Sequence, residues 1–153
     1  MLVKSAVRAM VAILALTAAG AAFSHSGASG IVKERMDAMS AVAKSLKVVG
    51  TMIKGEAAFD AGSVELAAGE IANHAKMVPH MFPDGSNKKP SEALPAIWTD
   101  WDKFTKLAAS METSAQDLAE AAKSATETSG IRAQFGALAK TCKACHSDFR
   151  QAK

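Results

Sequence analysis

Near the C-terminus, Thr141-Cys142-Lys143-Ala144-Cys145-His146 sets two thiols three positions apart with a histidine directly after the second. Each thiol of such a pair can add to one of the two vinyl groups of a haem, making two thioether bonds. The adjacent imidazole is then held under the iron as an axial ligand, so the pattern reads as c-type haem attachment. Two other chemistries share the spacing. A redox dithiol expects a strand before it, whereas this run lies inside a helical pattern. A zinc site of the usual kind needs a second ligand pair, and both cysteines of the chain are already in this motif. One covalently attached haem c is therefore expected, on Cys142 and Cys145, with His146 as a metal ligand.

The N-terminus agrees with that chemistry. Lys4 and Arg8 precede an apolar run from Ala9 to Ala19 and then small residues. This is the shape of a secretory signal peptide, with an apolar core too short to span a bilayer. The expected division is a signal peptide over 1–24, cleaved after Ala22 or Ser24, and one domain over 25–153. An uncleaved anchor is the alternative. Thioether attachment is completed outside the bacterial inner membrane, so export to the periplasm and haem attachment support each other. Removing Lys4 and Arg8 takes the formal charge from +3 to +1. A nearly neutral domain carries no field that would gather nucleic acid, and no stable membrane insertion is expected after processing.

The elements that must position the motif are helical. The 153 residues include no tyrosine, and Ala, Lys, Glu, Met and Leu dominate. A first helix is predicted from about Gly30 to Lys54, on a stripe of Ile31, Val32, Met36, Met39, Val42, Leu46, Val49 and Ile53. Gly55 ends it. A second runs from Asp60 or Ser63 to Val78, with Val64, Leu66, Ala67, Ile71 and Ala75 inward, and Pro79 closes it. The connection from Pro79 to Pro95 is long and proline-rich, with Met81, Phe82 and Leu94 tucked against the core. A third helix begins at Pro95 or Ala96 and continues to Ser124, with Trp98 and Trp101 on its apolar stripe. The fourth runs from Ile131 to Arg150 and carries the haem motif. Two short connections and one long crossing imply an all-α, antiparallel four-helix bundle.

A haem motif near the C-terminus of an exported four-helix chain resembles the class II c-type cytochromes, the cytochrome c′ family, itself a standard example of this bundle. The resemblance runs from about Val32 to Arg150. It rests on Arg35-Met36-Asp37-Ala38-Met39, Lys54-Gly55-Glu56 with Phe59-Asp60, Phe82-Pro83, Ile97-Trp98, and Cys142-Lys143-Ala144-Cys145-His146 with Phe149-Arg150. It implies that Arg35 approaches a haem propionate and that Arg150, one turn after His146, lies beside the proximal imidazole. It also puts Met39 on the distal side of the iron, and implies possible homodimers through the first two helices.

Met39 decides the function. Met36 and Met39 are neighbours on one helix face, and a thioether is a soft ligand suited to haem iron. If Met39 (or Met36 in its place) binds iron, the protein is a low-spin electron carrier cycling between Fe(II) and Fe(III) with redox partner proteins. If Met39 only packs, as methionines commonly do, the iron is open to nitric oxide or carbon monoxide. The carrier is the main expectation and the gas-binding protein the alternative. Enzymatic activity is not expected, because no His/Arg acid–base pair stands beside Met39. His74 and His80 read as surface or capping residues, and His25 as a metal chelator only if it becomes the N-terminus. Lys140, Lys143, Arg150 and Lys153 could meet an acidic partner or simply favour the end of a helix.

Overall fold

The computed structural model describes residues 27–152. The expected signal peptide, His25 and Lys153 lie outside them. Five helices follow in order: α1 (Gly30–Ile53), α2 (Ala61–Met77), a short α3 (Ala96–Thr99), α4 (Trp101–Ser124) and α5 (Arg132–Phe149). The four long ones form an antiparallel bundle. No helix of the described residues is long and apolar enough to cross a membrane.

In α1 the buried residues are Arg35, Ala38, Val42, Val49 and Met52. Their steps of three, four and seven residues trace one stripe down the helix, and the stripe begins with a charge. The helix stops where Gly55 takes φ +77°. Glu56 N–H donates to Thr51 O at 2.9 Å and Gly55 N–H to Met52 O at 3.0 Å, the paired bonds that close a helix on a left-handed residue. Asp60 then opens α2 by accepting the Ser63 N–H at 2.6 Å. Between α4 and α5 the chain turns so tightly that a Cβ on Gly130 would come within 2.9 Å of Ala125 Cβ.

Three expectations need correction. The third helix is not continuous: Asp100, at φ −130° and ψ 53°, separates α3 from α4. Trp98 Nε1 donates to Phe82 O at 3.0 Å, which ties α3 to the crossing instead of to the axis of α4. Past that pivot Trp101 turns outward and is exposed, not core. Leu66, expected inside, is 74% exposed, because the inward face of α2 is already supplied by Val64, Ala67, Ala68 and Ile71. α2 itself ends at Met77, just before Pro79 as expected, and Pro79 sits in a 3-10 turn over Val78–Met81 that follows it.

The core has two parts. One gathers Val42, Val49, Met52, Val64, Ile71, Leu118, Ile131 and Leu138, with small alanines between them. At that end α1 meets α5, where Phe135 reaches Gly50 and Arg132 donates to Ile53 O at 3.0 Å. The other gathers Val78, Ile97, Phe104, Ala108 and Phe149, with Phe82, Trp98 and Cys145 packed on them. Met39 is packed against both.

Candidate functional site

Alpha-helical pitch puts Cys142 and Cys145, three residues apart, on one side of α5. Both thiols are free and half-buried. Cys145 lies on the cluster of Val78, Ile97, Phe104, Ala108 and Phe149, the same cluster that Met39 touches from α1. The antiparallel run of α1 and α5 brings this about: the start of α1 stands opposite the end of α5. Cys142 Sγ donates weakly to Leu138 O at 3.5 Å. Burial pushes both thiols up, Cys145 to about 11 with help from Cys142 and Asp148. Both are therefore protonated thiols near neutral pH, without the low-pKa character of a redox dithiol.

His146 is exposed as a residue, yet its ring lies against enough protein for desolvation to lead in lowering its pKa. Arg150 adds to that lowering and Glu92 opposes it. A neutral imidazole is the form that can donate a lone pair to a metal. Two thiols and a neutral imidazole on one helical turn, beside an aromatic-lined apolar cluster, fit c-type haem attachment. Among the described residues, no three His, Cys, Asp or Glu side chains gather to hold a metal ion by themselves.

Arg150 is close to His146, as expected, but by a different route. The helix ends at Phe149, and Arg150 is extended at φ −121°, ψ 137°. Its Nε and Nη2 donate to Glu92 Oε2 at 2.8 and 2.6 Å. The two backbones are joined beside this pair: Gln151 N–H donates to Glu92 O at 2.8 Å and Leu94 N–H to Phe149 O at 3.0 Å. Ala93 and Arg150 form an antiparallel bridge. A second ion pair, Lys103–Asp148 at 2.9 Å, ties the start of α4 to α5.

Arg35 is 6% exposed, and its partners come from the crossing. Nη1 donates to Met81 O at 3.3 Å and Ser86 Oγ at 2.9 Å. Nη2 donates to Ser91 Oγ at 3.1 Å and to Ser86 O. The guanidinium also lies 4.4 Å from the centre of the Phe82 ring, a stacking that favours a cation over an aromatic face. Desolvation lowers its pKa, but an arginine stays charged there. The sequence singles out Arg35 and Arg150 but not their partners, Ser86 and Ser91 for the first and Glu92 for the second. The signal available was a charge at the head of a buried stripe, which must find acceptors.

Phe82 meets Phe104 edge-on at 4.9 Å, and Phe104 meets Phe149 likewise at 5.4 Å. Met36 is half-buried on the same helix as Met39. His74 stands 4.0 Å from Glu70 one turn earlier, His80 is exposed, and Lys140 and Lys143 are exposed on α5. None of these four joins the site.

Residues 30–150 match the protein family described as Cytochrome C′. A cytochrome c-556 of Agrobacterium fabrum is 35% identical over 126 residues, covering 82% of this chain and 84% of that one. Among solved structures, cytochrome c′ from Rhodopseudomonas palustris superposes with a TM-score of 0.76 at 30% identity, over 82% of this chain and 99% of that one. A nitric oxide complex of a mutant cytochrome c prime from Alcaligenes xylosoxidans gives 0.72 at 26% identity, over 80% and 94%.

Proposed function

Because this chain belongs to the cytochrome c′ family and is a haem c protein, we propose that it binds nitric oxide or carbon monoxide on the side of the iron facing α1. When bound, the haem supplies an iron that moves between Fe(II) and Fe(III) and can take a diatomic ligand. Cys142 and Cys145 would hold it by two thioether bonds, and His146 would be the axial ligand from α5. Arg35, the buried cation one turn before Met39, suits a propionate at the edge of the cofactor. Arg150 would lie on the proximal side.

The observation that carries the reading is the placement of Met39. Its side chain is packed against both core clusters, the ordinary gap-filling use of a methionine, which supports a reading in which the thioether leaves the iron open. Arg35, the nearest strong donor on α1, is engaged by the crossing. The wall that remains is apolar, which favours neutral diatomics over anions. The nitric oxide complex of the Alcaligenes xylosoxidans protein supports the same reading.

The carrier reading, with Met39 as sixth ligand, is favoured by one observation: a soft thioether stands on the cluster that Cys145 shares. Carbon monoxide added to the reduced holoprotein separates the two. Uptake with a shifted Soret band is expected. Low-spin bands in both redox states, a methionine-to-iron charge-transfer band and no response to the gas would instead establish the carrier. In that case Met39→Ala would open the iron, and an unchanged response would move the ligand to Met36.

The N-terminal residues Lys4 and Arg8 with the apolar run after them support a periplasmic location. Lys140 and Lys143, exposed on the haem-bearing helix, suit an acidic redox partner. We take the protein as a binding protein and not an enzyme, for want of an acid–base pair at the distal position.

A further inference from the structure

The crossing between α2 and α4 is fastened to two different helices at two successive residues. Ser91 Oγ accepts from Arg35, one turn before Met39 on α1. Glu92 accepts both donors of Arg150 at the end of α5. The main chain around Glu92 is fixed independently, by Gln151 N–H to Glu92 O and Leu94 N–H to Phe149 O. The carboxylate is therefore not needed to hold the crossing in place. Nor is the ion pair a large source of stability, since its side chains are 42% and 40% exposed and such pairs contribute little. What the carboxylate does is fix where a positive charge sits. Arg150 has left the helix, and an extended residue with a long side chain would otherwise swing through water.

We infer that Glu92 is a positioning residue of the proximal side: it holds the Arg150 guanidinium beside the end of α5, where Arg150 N–H donates to His146 O at 3.3 Å, and offsets its charge there. This rests on the reading of His146 as the axial ligand. Partners just outside the ligand set tune a metal through ligand basicity and local charge. A carboxylate near the site favours the oxidised, more positive iron, and a guanidinium favours the reduced one.

The test is the midpoint potential of the holoprotein, measured by spectroelectrochemistry in the wild type, Glu92→Gln, Arg150→Gln and the double variant. Arg150→Gln should lower the potential in the wild-type background and lower it by less in the Glu92→Gln background, where the guanidinium is no longer held in one place. Amide exchange at Leu94 and Gln151 should match the wild type in Glu92→Gln, showing the ladder intact. An equal lowering by Arg150→Gln in both backgrounds overturns the inference, and so does faster exchange at those two amides in Glu92→Gln. His146→Gly separates this from the underlying reading. If its visible spectrum equals that of the wild type, His146 is not the axial ligand. If the spectrum changes while Arg150→Gln lowers the potential equally in both backgrounds, only the role of Glu92 fails.

Discussion

The two ends of the bundle are built on different physics. The end around Val49, Leu118 and Leu138 is closed by helix against helix. Its side chains are aliphatic, its spacers are alanines, and burial supplies the stabilisation. The end around Phe104 and Phe149 has fewer buried residues and larger rings. It is held by long-range polar ties: Arg35 to the crossing, Trp98 to Phe82 O, Arg150 to Glu92 and Lys103 to Asp148. One end stabilises the fold, and the other positions a cofactor. A site that must admit a large planar group cannot be closed by interlocking aliphatics, so orientation there comes from directional bonds.

The largest effect expected is at the closed end. Leu118 is fully buried, and Leu118→Ala should cost about 3 kcal/mol by lost burial and the cavity left behind. Urea unfolding of the holoprotein should show that loss, while the visible spectrum stays that of the wild type. A spectral change would mean that the ends are not separable. Arg35→Ala is the counterpart at the other end. It strips donors from Met81 O, Ser86 O and two hydroxyls, for about 2 kcal/mol. Here the spectrum or gas affinity should shift, and amide exchange over 82–91 should quicken by more than exchange in α2. Uniform quickening across the bundle would count against the division.

How much of this the sequence discloses follows the same line. The closed end is local: stripes such as Val42–Val49–Met52 and glycine stops such as Gly55 announce α1, α2 and α5 to within a residue or two. The triplet Cys142, Cys145 and His146 proposed to hold the haem is equally plain, because three chemical groups lie within five positions. The other end depends on contacts 46 to 58 residues apart, to which no periodicity points. Hence Arg35 could be singled out, while Ser86, Ser91 and Glu92 in the proline-rich crossing could not. The break at Asp100 belongs to the same class. Its cause is a bond from Trp98 to Phe82 O, sixteen residues away, and missing it is why Trp101 was expected inside.

Trp98→Phe narrows the contrast to a single bond. The substitution keeps a ring on the cluster and removes the indole N–H, leaving Phe82 O without that donor. A loss of about 1 kcal/mol is expected, visible as a lower urea midpoint, with some change in gas binding because Phe82 packs beside Phe104 and under Arg35. An unaltered midpoint would show that the aromatic contacts alone set the crossing.

The smallest effect lies at the closed end, at the charged cap of α2. Asp60 caps α2, and hydrogen bonds from Ser63, through its side chain and its backbone N–H, hold the carboxyl below its usual range. The sign follows from the lowered value. The carboxylate contributes stability above the pKa it has in the unfolded chain, and that contribution disappears as pH falls through the lower, folded one. Asp60→Asn keeps a competent cap but cannot titrate, and it loses the favourable charge at a helix N-terminus. The melting temperature of the wild type should therefore exceed that of Asp60→Asn slightly at neutral pH, and the gap should close below about pH 4. Taking the difference between the two proteins cancels the other carboxylates, including those of the ion pairs at the haem end. A gap that persists at acid pH would mean that the charge of the Asp60 carboxylate is not what the cap relies on.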